Sequence, residues 1–354
     1  MTGAPGPARV AVLGLGLIGG SVARRLLDRG CAVVGWDPDG ATREAARTLG
    51  IEILTAVQDL ARADADLVVV AVPLRAVDQT AELLAGILGP QTVVTDVASV
   101  KAPVRSAMDR VGLGAQYVGA HPMAGTEHSG FDASSGDLLS GVRWAVTLDE
   151  ATSERAFLMV AALITGAFDG VVFPLTDDVH DEAAALISHV PHVVATELLN
   201  LVAHAEIRPV AVGLAAGSFR DGTRVARTTP RRTQAMVTDN AAWVAPVLRR
   251  AIADLTRLAQ SLESNGPTDE FFDRADLLRD DGDGGSATNG RTAAGTDTEL
   301  TTNSESEPES ESVRTIRLAD LPSWQRELTR LGALGARVLE ADPIRGTVLV
   351  VAPN

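Results

Sequence analysis

Two hydrophobic patterns follow one another along the chain. In the first 150 residues, short continuous apolar runs alternate with stretches whose spacing fits helices. Such runs are typical of parallel strands that helices cover on both faces. The predicted strands are residues 9–13, 31–36, 65–72, 91–95, 117–120 and 143–147. We therefore expect an α/β domain over residues 1–150, built on a doubly wound parallel sheet.

Helical spacing dominates the second half of the chain. The long helical segments are residues 151–166, 176–204 and 240–263. Strand signals are few after Phe173, so we expect an all-helical domain over residues 151–275.

The last segment, residues 313–354, has the pattern of a small α+β unit. Its predicted elements are strands at 313–318, 337–340 and 347–351 and a helix at 322–331. A unit of about forty residues is marginal for independent stability. We therefore expect it to dock on the rest of the chain or to pair with a second copy.

The charge of the chain is unevenly distributed. The 354 residues include 46 acidic and 31 basic side chains, for a formal net charge of −15. Residues 280–312 contain nine acidic residues and one arginine, so they carry −8 of that total. This segment is rich in Gly, Ser and Thr and cannot bury enough apolar surface to offset its ordering entropy. We expect residues 276–312 to be a disordered acidic linker, and net acidity argues against a nucleic-acid partner.

Composition excludes several other classes of protein. The single cysteine, Cys31, excludes a disulfide framework and a cysteine-based zinc site, and it fits a reducing, cytoplasmic compartment. No uninterrupted apolar run reaches the roughly 18 residues that a membrane helix needs, so no membrane span is expected. Residues 1–8 contain neither a basic residue nor an apolar run, so no secretory signal is expected.

A glycine motif follows the first predicted strand. Residues 14–19 read Gly-Leu-Gly-Leu-Ile-Gly and open a helix, and Asp37 ends the second strand 23 residues after Gly14. The glycines allow a tight turn and the approach of a pyrophosphate, while the acidic residue binds ribose hydroxyls and repels a 2′-phosphate. The sequence thus predicts a Rossmann-type domain that binds NAD. The expected cofactor-binding residues are Gly14, Gly16, Leu17, Ile18, Gly19, Asp37, Val72 and Pro73.

Two further motifs follow neighbouring strands. Ser99 lies in Asp-Val-Ala-Ser-Val-Lys, residues 96–101, and His121 opens His-Pro-Met-Ala-Gly-Thr-Glu, residues 121–127. Ligands of open α/β sheets bind at the carboxyl ends of the strands. A histidine at that place is suited to act as a general base or as a hydrogen-bond partner near the nicotinamide. Taken singly, His121 also fits a turn residue before proline, and Ser99 fits a helix cap.

The helical region holds two polar motifs. Residues 188–192, Ser-His-Val-Pro-His, interrupt a helix with two histidines. No metal site is expected there, because carboxylate or cysteine partners at ligand spacing are missing. Residues 217–226 form an arginine-rich turn flanked by glycine. Its arginines are either solvated or form a fork that binds a substrate carboxylate.

These motifs, in this order, closely resemble those of prephenate dehydrogenases. The resemblance rests on residues 14–21, 96–101, 121–127, 188–192 and 219–226, within roughly residues 9–262. It implies an enzyme that oxidises prephenate with NAD and releases carbon dioxide, giving 4-hydroxyphenylpyruvate on the route to tyrosine. Some members of the family use arogenate, or both substrates. The resemblance also implies a homodimer formed by the helical domain.

Roles of individual residues are implied in the same way. His121 matches the catalytic histidine, which is hydrogen-bonded to the ring 4-hydroxyl, and Ser99 matches the serine beside it. The matching substrate-binding residues are Thr126, Ser188, His192, Gly217 and Arg224. Thr229 and Thr233 stand where many members carry Asp and Trp, which leaves the choice between prephenate and arogenate open. The C-terminal unit is about half the length of the ACT regulatory domain found in some relatives.

Two rival functions differ in the residues they need. A β-hydroxyacid dehydrogenase shares the architecture but needs a lysine and an asparagine on the long connecting helix, whereas the one lysine here, Lys101, lies in a strand-end turn. A non-catalytic NAD-sensing regulator would not need His121, Ser99 and Arg224 together. The sequence favours prephenate dehydrogenase over both, with arogenate dehydrogenase and the regulator as the alternatives.

Overall fold

The computed structural model describes residues 7–126, 128–276, 278 and 312–352. The described residues up to Val244, together with residues 312–352, form one compact unit. The described residues between Ala245 and Leu278 form a second unit. The predicted acidic linker lies almost entirely outside the described residues.

Eleven strands among the described residues form one mixed sheet. They are β1 (Arg9–Leu13), β2 (Ala32–Trp36), β3 (Glu52–Ile53), β4 (Leu67–Val70), β5 (Val93–Asp96), β6 (Tyr117–Pro122), β7 (Arg143–Thr147), β8 (Val171–Leu175), β9 (Ser312–Arg317), β10 (Arg337–Asp342) and β11 (Thr347–Ala352). Their order across the sheet is β3-β2-β1-β4-β5-β6-β7-β8-β10-β11-β9.

The strands from β3 to β6 run parallel. Chain order reverses between the neighbouring strands β1 and β4, and open α/β sheets bind ligands beyond the carboxyl ends of the strands at such a point. Every residue of β4 and β5 is buried, as expected for strands that are covered on both faces. The predicted fold class is confirmed.

The next two strands differ from the expectation of a purely parallel sheet. Strand β7 runs antiparallel to β6, with His121 paired to Ala145, and β8 then runs parallel to β7. Among the described residues between β6 and β7 there are short 3-10 turns and no α-helix, and an α-helix is the usual crossover between parallel strands. Strand β8 was not predicted, because Pro174 follows only three apolar residues of its run.

The α-helices of the described residues agree with the predicted alternation and with the helical second half. They are α1 (Leu17–Asp28), α2 (Gly40–Thr48), α3 (Val77–Ile87), α4 (Ala102–Arg110), α5 (Glu154–Ala162), α6 (Asp177–Ala184), α7 (Val190–Ala203), α8 (Arg208–Leu214), α9 (Gly217–Thr223), α10 (Pro230–Asp239), α11 (Ala241–Glu263), α12 (Asp269–Asp273) and α13 (Trp324–Ala333).

The helix predicted over residues 176–204 contains a π-helical turn. This turn, Ala185–His189, joins α6 to α7. Pro191 lies in the first turn of α7 and has no N–H to donate, so the regular hydrogen-bond ladder is interrupted just before it. Such turns are frequent at functional sites.

Helices α6 and α7 together form the stretch Asp177–Ala203, which is long and apolar enough to cross a membrane by length and composition alone. Its most apolar window is 22% buried within this chain. The sequence analysis did not expect a span here, and the core helix of a soluble protein passes the same test. A single helix of this kind is therefore weak support for a membrane protein.

The C-terminal unit docks on the edge of the sheet. Strand β10 pairs antiparallel with β8, where Val338 lies opposite Val172. Trp324 of α13 packs on Phe157 of α5 with ring centroids 5.3 Å apart, and both side chains are buried in the same core. Gly332 leaves no room for a side chain, since a Cβ there would lie 1.7 Å from the carbonyl oxygen of Pro174. Docking on the same chain is thus the alternative that the structure favours.

Candidate active site

The turn between β1 and α1 fits tightly against the end of β4. Gly14 has a φ of +91°, and a Cβ on it would lie 2.5 Å from the carbonyl oxygen of Ala71. A Cβ on Gly19 would lie 1.9 Å from the carbonyl oxygen of Gly14. Both positions therefore require glycine, and the first turn of α1 is held close to the sheet.

The middle of the same turn is open. Nothing lies within 4 Å of a Cβ built on Gly16, and this residue caps α1 without a side-chain hydrogen bond. The first amide groups of α1, from Leu17 and Ile18 onward, are thus left to bind an anion at the helix N-terminus. The space and the uncapped amides fit a pyrophosphate.

Asp37 stands beside this turn at the end of β2. Its Oδ2 accepts a hydrogen bond from the Leu15 N–H at 2.8 Å, and its Oδ1 accepts one from the Asp39 N–H at 2.9 Å. The half-buried carboxylate keeps further lone pairs, which suit ribose hydroxyls. Val72 and Pro73 follow β4, which lies on the opposite side of β1 from β2. Val72 is half-buried and Pro73 is exposed. These residues fit the predicted dinucleotide.

His121 is joined to a histidine and a carboxylate on α6. Its Nδ1 lies 2.9 Å from Nε2 of His180, and Nδ1 of His180 lies 2.7 Å from Oδ1 of Asp181. The Asp181 carboxylate also accepts hydrogen bonds from the N–H groups of Lys101 at 2.8 Å and Ala102 at 3.0 Å. Burial raises the pKa of Asp181, but these hydrogen bonds outweigh it, and the pKa is lowered overall. The carboxylate is therefore ionised.

This series of hydrogen bonds sets the tautomers of both histidines. A carboxylate only accepts, so His180 donates from Nδ1, and its Nε2 is an acceptor in the singly protonated ring. His121 then donates from Nδ1, which leaves its own Nε2 as a free acceptor. Burial lowers the pKa of His121 well below its usual value, and the neighbouring His180, Lys101 and His189 lower it further. His121 is thus a neutral imidazole whose Nε2 keeps an available lone pair.

His189 forms a second buried histidine site in the π-helical turn. Its Nδ1 lies 2.9 Å from Nδ2 of Asn240, which also donates to the carbonyl oxygen of Asp181 at 2.8 Å. Burial is the main cause that lowers the pKa of His189 to about 4. Asn240 therefore ties the π-helical turn to α6 and keeps His189 neutral.

The remaining predicted residues are placed less closely together. Ser188 and His192 are half-buried, and Nδ1 of His192 lies 2.8 Å from the Ser188 carbonyl oxygen. Ser99 is half-buried in the turn before α4, and no hydrogen bond joins it to His121 within the part of the chain that the structure describes. Thr126 accepts a hydrogen bond from the His128 N–H at 3.3 Å.

The arginine-rich turn packs beside α7, the helix that carries His192. Gly217 and Arg224 are exposed there, at the start of α9 and just after its end. Among the described residues, no group of three or more His, Cys, Asp and Glu side chains is arranged to hold a metal ion.

Sequence reasoning missed His180, Asp181 and Asn240. His180 and His189 are nine residues apart, which is about two and a half turns of an ideal helix and places them on opposite faces. The π-helical turn between them changes this phase. Asn240 comes from a distant helix boundary, so local patterns give no signal for it.

Comparison with known proteins identifies the family. The family described as prephenate dehydrogenase, nucleotide-binding domain, matches residues 22–173, and the prephenate dehydrogenase dimerization domain matches residues 176–275. The chain is 35% identical to the cyclohexadienyl dehydrogenase of Zymomonas mobilis over 72% of this chain and 88% of that protein. The chain belongs to the prephenate dehydrogenase family.

Solved structures agree with this membership of the prephenate dehydrogenase family. The prephenate dehydrogenase of Aquifex aeolicus, in complex with hydroxyphenyl propionate and NAD+, is 28% identical with a TM-score of 0.70, and covers 77% of this chain and 97% of its own. A Corynebacterium glutamicum protein, provisionally named as a prephenate dehydrogenase, is 31% identical with a TM-score of 0.77. The match covers 93% of this chain and 98% of that protein. The predicted family, oxidoreductase class and nucleotide-binding domain are confirmed.

Proposed function

We propose that this protein catalyses the NAD-dependent oxidative decarboxylation of prephenate to 4-hydroxyphenylpyruvate. The observation that carries the proposal is the hydrogen-bond chain from Asp181 through His180 to His121, beside a turn that fits a dinucleotide. It places a neutral histidine with a free acceptor nitrogen at the end of β6. Such a group suits the removal of one hydroxyl proton at neutral pH.

The residues that hold the cofactor are those of the β1–α1 turn with Asp37, Val72 and Pro73. Amide groups at the start of α1 bind the pyrophosphate, and Asp37 binds the ribose hydroxyls. The chemistry that NAD supplies when bound is acceptance of the hydride from C4 of the ring.

His121 accepts the proton that must leave with the hydride. Its Nε2 takes the proton of the 4-hydroxyl as the C4 hydride departs, so C4 becomes a carbonyl carbon. The bond to the ring carboxylate then breaks and carbon dioxide leaves. The electron pair of that bond restores the aromatic ring, and the negative charge ends on the C4 oxygen as a phenolate. The phenolate then takes the proton back from His121. Aromatisation provides much of the driving force, so the protein mainly orients C4 and holds one proton.

The remaining predicted residues are proposed to bind the dianionic substrate. Arg224 and the turn beginning at Gly217 hold a carboxylate, since a guanidinium offers a planar pair of donors. Ser188 and His192 contribute from the helical side. Ser99 and Thr126 stand on the loops that follow β5 and β6 and contact the ring region.

Arogenate is the alternative substrate, and two positions bear on it. Thr229 caps α10, and the hydroxyl of Thr233 lies 2.9 Å from that of Thr228. Thr233 is smaller than the Trp that many members of the family carry at this position. Prephenate is favoured, because the name of the NAD+-bound relative from A. aeolicus is prephenate dehydrogenase.

The test is to incubate the protein with NAD and either prephenate or arogenate and to follow NADH absorbance and carbon dioxide release. Prephenate is expected to give equal amounts of NADH and carbon dioxide. Faster NADH formation from arogenate would select the alternative substrate. No NADH from either compound would contradict the proposal and favour a non-catalytic NAD-binding regulator.

A homodimer and a cytoplasmic location complete the proposal. The second matched family region is a dimerization domain, and α7 and α8 expose large apolar side chains in a single chain. Such a surface is typical of an interface between copies. We propose domain boundaries at residues 1–150, 151–275, 276–312 and 313–354, as the sequence patterns indicate.

A further inference from the structure

The chain contains one lysine and one tyrosine, and both bind the same buried carboxylate. Among its 31 basic residues, Lys101 is the lysine and the others are arginines. Its Nζ donates to Oδ2 of Asp96, and the hydroxyl of Tyr117 donates to Oδ1 of Asp96 at 2.8 Å. Lys101 and Tyr117 have no exposed surface, and Asp96 is 1% exposed.

This group fixes the peptide that leads into His121. Oδ1 of Asp96 lies 3.3 Å from the Ala120 N–H, and Nζ of Lys101 donates to the Ala120 carbonyl oxygen at 3.1 Å. Both polar groups of Ala120 are therefore held by the same ion pair. Since Ala120 directly precedes His121, the ion pair determines how the backbone enters the histidine.

Lys101 is also linked to His121 through its main chain. Its backbone N–H donates to the Asp181 carboxylate, which orients His180, and His180 accepts the hydrogen bond of His121. One residue thus supports the imidazole through its side chain and through its main chain.

We propose that Lys101 and Asp96 are positioning residues for His121, which they hold through the peptide groups of Ala120 and through the contact of the Lys101 N–H with Asp181. The proposal rests on the proposed role of His121 as the base. A structural ion pair alone is a poor explanation, since burying two charges costs about as much as their attraction returns.

The space around Lys101 suits a lysine better than an arginine. A Cβ on Gly119 would lie 3.0 Å from Cδ of Lys101 and 2.3 Å from Oγ1 of Thr147, so the surroundings are tightly packed. Two acceptors, on Asp96 and Ala120, face the ammonium. A compact ammonium satisfies them, whereas a planar guanidinium carries five donors and needs more room.

Several charged and titratable groups act on the imidazole of His121. They are His180 on α6, which contacts His121 directly, His189 in the π-helical turn and Lys101 in the turn before α4. Asp96 pairs with Lys101, and Asp181 lies behind His180. Each of the three cationic or imidazole groups lowers the pKa of His121. Removal of the Lys101 charge should therefore raise that pKa.

The test compares Lys101→Met with the wild-type protein. Titration of the histidine ring signals by NMR, assigned with a His121→Asn variant, should show the pKa of His121 rising by about half a unit or more. With prephenate, kcat should fall at least about tenfold, because the base is misplaced. The KM for NAD should stay within about twofold, and the acidic limb of kcat/KM should move to higher pH.

Two further variants separate position from charge. Lys101→Arg keeps the charge without the shape, so it should leave the pKa of His121 near the wild-type value and recover only part of kcat. Arg110→Met is the matched control, because it removes an exposed ion pair with Asp78 from α4 and should change neither quantity.

The proposal is overturned if Lys101→Met lowers only the melting temperature and leaves the pKa of His121 and the pH profile unchanged, or if Lys101→Arg restores full kcat. If Lys101→Met does not fold, the double variant Asp96→Asn/Lys101→Met buries no unpaired charge; its kcat should still fall at least about tenfold with the KM for NAD within about twofold, and an unchanged kcat would overturn the positioning role. A wild-type protein that forms no NADH would instead overturn the proposed function, because the NMR comparison needs no substrate.

Discussion

Nε2 of His121 is left as an acceptor because its other nitrogen is committed to His180, and His180 is committed to Asp181. This arrangement supports the proposal that His121 receives the hydroxyl proton. His121→Asn keeps a similar volume but has no basic nitrogen, so kcat is expected to fall by about 10²- to 10⁴-fold. Binding of NAD, which depends on the β1–α1 turn, should be retained.

The rate is measured by NADH formation and the binding by titration with NAD. His204→Asn is a suitable control, since His204 is an exposed histidine that bonds within its own helix to the carbonyl oxygen of Asn200. Near-normal turnover in His121→Asn would remove this residue from the proposed mechanism.

At the scale of the elements, the π-helical turn makes stability depend on pH. His189 in this turn is buried, and its pKa of about 4 lies below the value of about 6.5 in an unfolded chain. Between these values the unfolded chain binds more protons, so the free energy of unfolding falls as the pH falls from 6.5 to 4. The contribution of His189 should be on the order of 2 kcal/mol.

Urea unfolding at pH 7 and pH 4.5 measures this effect. His189→Gln should show a smaller loss of stability between the two pH values than the wild-type protein does, and His204→Gln should behave like the wild type. Equal pH dependence in His189→Gln and the wild type would show that His189 is not held neutral by the fold.

The sequence predicted those parts of the fold and site that local pattern determines. Strands β1, β4 and β5 were found because burial on both faces demands a continuous apolar run. The glycine turn and the position of His121 near the end of β6 could be predicted because their motifs are contiguous. The hydrogen-bond chain from His121 through His180 to Asp181 could not be predicted, because it joins residues 59 positions apart on β6 and α6. The contact of Asn240 with His189 is likewise purely tertiary.

At the scale of the whole molecule, the exposed apolar side chains predict how two copies meet. Leu201 of α7 is 60% exposed, and Leu214 at the end of α8 is 77% exposed. Leu201→Glu should turn the proposed homodimer into a monomer, because a charge would be buried in an apolar interface. Light scattering after size-exclusion chromatography measures the change in mass.

Ile344→Glu provides the control for the dimer. Ile344 is 74% exposed on the C-terminal unit, away from the matched dimerization region. This variant should remain a dimer. A wild-type monomer, or a Leu201→Glu variant that stays dimeric, would contradict this placement of the interface.

The most direct test of the whole account is the pH dependence of kcat/KM for NADH formation from prephenate. In the proposed mechanism only the neutral form of His121 accepts the proton, and burial holds the pKa of His121 well below its usual value of 6.5. We expect kcat/KM to stay level as the pH falls from 8 past 6.5 and to decline only at lower pH. An absence of NADH, or a decline already centred at pH 6.5 or above, would contradict the account.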